Sequence, residues 1–201
     1  MKSKSIFLAI PIALVSFLSI KSIHVENSHK SNMNNINSEP LYRLCDIKGY
    51  HYYTSSKESY HNYISAGWKP EGVIGYVFNQ QVKGSLPVWV TRKTTDRYCA
   101  QGCADYLFTI SKEEQLFAIS NYGYSNDGWL TGEIPVFYIA PTQLPGTTPL
   151  YRILQTHLSP NGHFYTTDVN ERNHILGDAT NYRDEGIGGY VWTTQVSLPA
   201  Q

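Results

Sequence analysis

Arginine, histidine and glutamate recur in this chain as a set. Arg43, His51 and Glu71 stand in the same order and context as Arg152, His163 and Glu185. In a weaker stretch between them, Val90, Tyr106 and Gly132 take the corresponding places, with Glu133 beside the last. Residues present together twice and altered together once are expected to touch within a unit. An Arg on an aromatic-rich strand needs a carboxylate partner, because removing one member of a buried pair costs several kcal/mol. Two arrangements fit: a structural Arg–Glu pair with the His hydrogen-bonded beside it, or a polar pocket kept in the outer stretches and abandoned in the middle one. The first is the primary expectation. It predicts that Arg152→Met and Glu185→Leu each destabilise more than the two together.

Other chemistry is sparse. Glu58, Glu114 and Glu171 each follow a hydroxyl or carboxylate residue (Ser55, Ser111, Asp168) by three positions. That spacing is a capping box, in which the cap oxygen accepts the N3 amide and the glutamate reaches back to the cap amide. It explains these carboxylates without catalysis. A glycosidase needs two carboxylates at a defined separation, and threefold copying sets Glu71 and Glu185 apart around an axis. No G-x-S-x-G elbow, HExxH helix or Cys-His signature is present. His157 and His163 flank the turn LSPNG without a third ligand, so no metal or other cofactor is expected.

Aromatic residues supply the other lead. Tyr52, Tyr53, Trp68 and Tyr76 recur as Phe164, Tyr165, Tyr182 and Tyr190. Adjacent residues on a strand point to opposite faces, so one ring of each pair is expected in the core and one outside. Outward rings with a polar edge suit the apolar faces and hydroxyls of a sugar. Candidate ligand-binding residues are therefore Arg43, His51, Tyr53 and Glu71, with Arg152, His163, Tyr165 and Glu185.

These residues sit in a repeated frame. LYRL (41–44), HYYTS (51–55) and EGVIGYVF (71–78) return as LYRI (150–153), HFYTT (163–167) and EGIGGYVW (185–192). The worn middle version has LPVWV, YLFT and IPVFYI, lengthened by the insertion RKTTDRYCAQGCAD. Each reads strand, strand, short helix, strand: the phrases are aromatic and β-branched, and Gly67 and Gly177 are placed to stop helices. Asn161-Gly162 marks a turn that favours positive φ. One such unit cannot bury both faces, so the three must pack on one another. The expected fold is a mainly β, pseudo-threefold domain of three strand–strand–helix–strand repeats with short helices, over about 40–83, 86–140 and 149–195. Closure in the manner of a β-trefoil or small propeller would remove exposed strand edges; an open array is the alternative.

The phrases resemble an uncharacterised secreted repeat family with units reading PLYRL, GDHFYTT, a short helix with ER, then EGIxGYVF. The resemblance covers about Pro40 to Trp192. Such units occur in threes on bacterial and fungal secreted hydrolases, which implies an accessory, surface- or glycan-binding role; no hydrolase is attached here.

Upstream, Lys2 and Lys4 precede an apolar run over Ile6–Ile20, too short for a standard span. Residues 1–22 are read as a signal peptide, or as an anchor if uncleaved, and 23–39 as a flexible Asn/Ser-rich linker, with the folded domain at 40–201. Three cysteines, Cys45, Cys99 and Cys103, leave open a local Cys99–Cys103 ring, a bridge from Cys45, or reduced thiols. Charged residues make up 16% of the chain and the formal net charge is zero, which excludes a phosphate-tracking surface. The expectation is a secreted, non-catalytic module that binds a glycan or cell-surface polymer. Membrane contact is confined to the N-terminal segment, and nucleic acid is excluded. A protein-interaction or structural module and a small cell-wall hydrolase are the alternatives.

Overall fold

The computed structural model describes residues 35–94, 104–125 and 134–201. The signal segment, most of the linker, Cys99, Cys103, and Gly128-Trp129 through Glu133 lie outside them, and so do the expectations attached to them. The described part is mainly β, with three short helices.

The first unit is β2 (Glu39–Cys45), β3 (His51–Thr54), α1 (Lys57–Ser65) and β4 (Lys69–Val77). The second is β5 (Leu86–Thr94), β6 (Ala104–Thr109), α2 (Lys112–Tyr122) and β7 (Phe137–Ile139). The third is β8 (Thr147–Gln155), β9 (Gly162–Thr166), α3 (Val169–Leu176) and β10 (Tyr182–Trp192). In each, the first strand lies between the other two, all antiparallel. The pairing register makes Arg43, Val90 and Arg152 equivalent, since they oppose Tyr53, Phe108 and Tyr165. His51, Tyr106 and His163 are equivalent in the same way.

Ordered structure begins before Pro40, where the sequence suggested the domain would start. Asn35–Asn37 forms β1 and pairs with the C-terminal β11 (Ser197–Pro199). Alternation explains it: Ile36 is buried between two exposed asparagines and joins a small core of Phe78, Val82, Ala140 and Trp192.

The ring closes. Phe78 of unit one bridges Tyr138 of unit two, Ala140 of unit two bridges Tyr190 of unit three, and Trp192 of unit three pairs with Tyr76 of unit one. These are one bridge repeated around an axis. Two glycines allow the approach: a Cβ on Gly75 would lie 2.5 Å from Val191, and one on Gly189 2.5 Å from Ile139. Beneath, Tyr53, Phe108 and Tyr165 meet edge to face, with centroids 5.2, 5.5 and 5.9 Å apart.

The helix caps depart from the expected box. The caps are Ser56, Ser111 and Asp168, so the first falls one residue beyond Ser55. In every unit a threonine two residues earlier (Thr54, Thr109, Thr166) accepts the cap amide at 3.0 Å. The amide that a capping-box glutamate would take is thus already satisfied. Asn161-Gly162 also serves a different purpose: Gly162 opens β9 without positive φ, and its missing Cβ spares contacts at 2.8 Å with Leu158 and 3.1 Å with Gln155.

Candidate functional site

Glu71 and Glu185 each reach their arginine through a bulge. Between Arg43 and Leu44 the β2–β4 register slips past Glu71, and Gly72 takes φ +92°. The β8–β10 register slips likewise around Glu185, with Gly186 at φ +83°. A bulged residue leaves the ladder and is re-aimed, and only glycine adopts that φ without strain. Glu71 thereby meets Arg43 Nε at 2.8 Å and Glu185 meets Arg152 Nε at 3.1 Å.

The guanidinium forks point across unit boundaries. Arg43 donates through Nη1 and Nη2 to Glu171 of unit three, both at 2.9 Å. Arg152 donates to Glu114 of unit two at 3.0 and 2.8 Å. Glu114 and Glu171, freed from the caps by Thr109 and Thr166, also take those hydroxyls. The expected Arg–Glu pair within each unit is present, but each arginine holds a second glutamate from its neighbour. At the third boundary both members are absent: Val90 replaces the arginine, and Ser59 stands at the helix position of Glu114 and Glu171. Tyr106, Tyr52 and Tyr63 fill that seam, with a 3.4 Å hydroxyl contact between Tyr63 and Tyr106.

The histidines diverge. His163 lies between Asp105 of unit two (Nδ1 to Oδ2, 2.8 Å) and Glu185 (3.4 Å). Burial opposes its charge, but Asp105 and Glu185 outweigh burial and raise its pKa to about 9. Burial likewise pushes the Glu185 carboxyl up, and the bond from His163 with the charges of His163 and Arg152 brings it down to about 2. His51 meets Glu71 at 3.3 Å, while its Nδ1 has no hydrogen-bond partner among the described residues. Gly162 stands where Asp105 stands for His163. His157 is exposed beside Tyr182 and does not join His163.

Tyr53 and Tyr165 do not face outward, which corrects the expectation of an exposed ring on each strand. Both are 2% exposed, as their neighbours Tyr52 and Phe164 are 4% exposed. β3, β6 and β9 are buried along their whole length because one face meets the axis and the other the flanking elements. Their hydroxyls bond the next unit: Tyr53 Oη donates to Tyr165 O (3.0 Å) and accepts from Tyr165 N (2.7 Å). Tyr165 Oη does the same with Phe108, at 2.8 and 2.9 Å. They close the ring and are not available to a ligand.

Accessible rings lie elsewhere. Phe117 (54% exposed) and Tyr122 (59%) on α2 meet edge to face, and Tyr124 follows. They border two adjoining clefts between units two and three. One, of about 490 Å³, is lined by Lys93, Tyr122, Tyr124, Asn161, His163, Arg183 and Glu185. The other, of about 280 Å³, has Phe117, Tyr122, Tyr124, Glu114, Arg152, His163 and Glu185 in its wall. Tyr124 donates to Asp105, the carboxylate that holds His163. The third-unit set Arg152, His163 and Glu185 therefore borders open space, on the side of α2. Sequence reasoning assigned Glu114 and Glu171 to helix caps and missed Asp105, Phe117, Tyr122 and Tyr124. The only available signal was that α2 carries apolar Leu116 and Phe117 side by side, too many for one buried stripe.

No curated protein and no solved structure matches the chain. One family model matches twice, over residues 21–131 and 96–192, overlapping within unit two. Two displaced matches to one model agree with the internal repetition of the fold. The chain belongs to the family described as a domain of unknown function, DUF5648.

Proposed function

We propose that this chain is a non-catalytic recognition module that binds a glycan or cell-surface polymer in the cleft between units two and three. One observation carries the reading: exposed Tyr122, with Tyr124, lines the larger cleft together with Lys93, Asn161, His163, Arg183 and Glu185, and Phe117 joins the two rings in the adjoining one. Rings and hydrogen-bonding groups lining one cleft match the apolar C–H faces and the hydroxyls of a pyranose, and the volume is that of an ordinary ligand site. This site replaces the repeated-site picture drawn from Tyr53 and Tyr165. Export by the N-terminal segment belongs to the same proposal, since cell-surface polymers lie outside.

A hydrolase fits less well. Acid catalysis needs a carboxyl whose pKa is raised. Burial pushes Glu71, Glu114, Glu171 and Glu185 upward, but their hydrogen bonds and arginine or histidine charges hold all four below the ordinary value. A protein partner is favoured by one feature, exposed Leu116 beside Phe117.

A glycan array with the full chain and its Tyr122→Ala variant tests the proposal. Tyr122 is exposed, so the variant keeps the fold. Binding to a polysaccharide class, reduced at least about tenfold by Tyr122→Ala, is expected from the loss of one stacked ring. An array blank for the folded chain, or binding untouched by the substitution, overturns it.

A further inference from the structure

Unit one differs from unit three around its histidine in two ways. Leu154, which opposes His163 in unit three, is replaced by Cys45, which opposes His51. The carboxylate that fixes His163 as a cation, Asp105, has Gly162 as its counterpart, and His51 Nδ1 is buried without a hydrogen-bond partner among the described residues. The bulge at Gly72 still delivers Glu71 to the same place. A thiol, an imidazole and a carboxylate thus converge, with one donor atom of each within 4.8 Å of the others.

We propose that Cys45, His51 and Glu71 form a binding site for a thiolate-accepting divalent cation of the zinc class. Sulfur with nitrogen and a single carboxylate selects zinc or its neighbours over magnesium or calcium, which take oxygen sets. Three protein ligands leave one position for water. Arg43 lies 2.8 Å from the Glu71 carboxylate, but its charge is already matched by the fork to Glu171. Glu71 and the Cys45 thiolate are then left to balance the cation. The Cys45 thiol donates to the Asp46 carbonyl at 3.3 Å, so the metal-free residue carries its proton. Coordination forms the metal–sulfur bond and releases that one proton to solvent. Donor atoms at the observed separations close on a cation by small side-chain rotations, which the partly exposed Cys45 and Glu71 permit.

Cobalt(II) is the probe, because thiolate coordination gives it a charge-transfer absorption. Titration of the reduced full-length chain should reach one equivalent with that band, displaced by zinc, and one proton released per cobalt. The band should vanish in Cys45→Ser, a one-atom change at a partly exposed position, and persist when Cys99 and Cys103 are both changed to Ser. His51→Gln should weaken cobalt binding at least about tenfold, since it removes a direct ligand. Far-ultraviolet circular dichroism checks that each variant is folded. Absence of the band in the folded wild-type chain, its survival in Cys45→Ser, or its loss with Cys99 and Cys103 overturns the site.

Discussion

At the residue scale the two histidines separate what a shared motif conceals. His163 has a pKa raised to about 9 in the folded chain against an ordinary 6.5. Its charge therefore favours the folded state fully below pH 6.5, and that contribution fades as pH rises through about 9. The groups facing it are Asp105 of β6 and Glu185 of β10, with the rings of Tyr124 and Tyr165 beside it. The urea midpoint of the wild-type chain should fall between pH 6.5 and 9, and His163→Gln should flatten that fall. A midpoint equally pH-dependent in the variant would assign the effect to another group. Glu185 works in the opposite sense: with a folded pKa of about 2 against 4.5, its contribution is present above 4.5 and is lost as pH falls through 2.

At the element scale the strands and helices of one unit are completed by the next. Arg152→Met would strand Glu114 and Glu185 together, so it should cost about 3–5 kcal/mol by denaturant unfolding. Combining it with Glu185→Leu should not recover the whole loss, because Glu114 remains without its cation while His163 keeps Asp105; this revises the simple two-residue expectation. Tyr165→Phe should cost about 2–3 kcal/mol, since its hydroxyl satisfies both backbone groups of buried Phe108. A loss below about 0.5 kcal/mol would mean that water replaces the hydroxyl. The missing seam offers the converse test. Val90→Arg places an unpaired charge at a site 1% exposed and should destabilise strongly. Ser59→Glu should recover part of that loss, and strictly additive effects would show that the two positions do not meet.

At the scale of the whole molecule, threefold closure is carried by repeated bridges among β4, β7 and β10 and by the aromatic trio at the axis. Gly75→Ala should destabilise by about 1–3 kcal/mol, because the added methyl has only Val191 and the Trp192 backbone to displace. The same change at Gly177, whose nearest atom is a carbonyl of its own helix, should cost less. Asymmetry at this scale sets the units apart. Unit two has Val90 in place of the arginine and carries the exposed rings of α2, which border the cleft beside the third-unit set.

The repeat, the β-rich class, the helices and the Arg–Glu pairing within units were legible in the sequence, because each rests on local pattern: strand phrases, caps and residues that vary together. Pairing across units was not. Glu114 and Glu171 fit a capping box by spacing, and only the fold shows Thr109 and Thr166 taking that amide and the carboxylates crossing to Arg152 and Arg43. Nor could alternation reveal that Tyr53 and Tyr165 are buried, since their strands are covered on both faces by other units. Spacing along a chain records what a segment needs from itself; which surface a side chain finally meets is set by how three such segments close on one another.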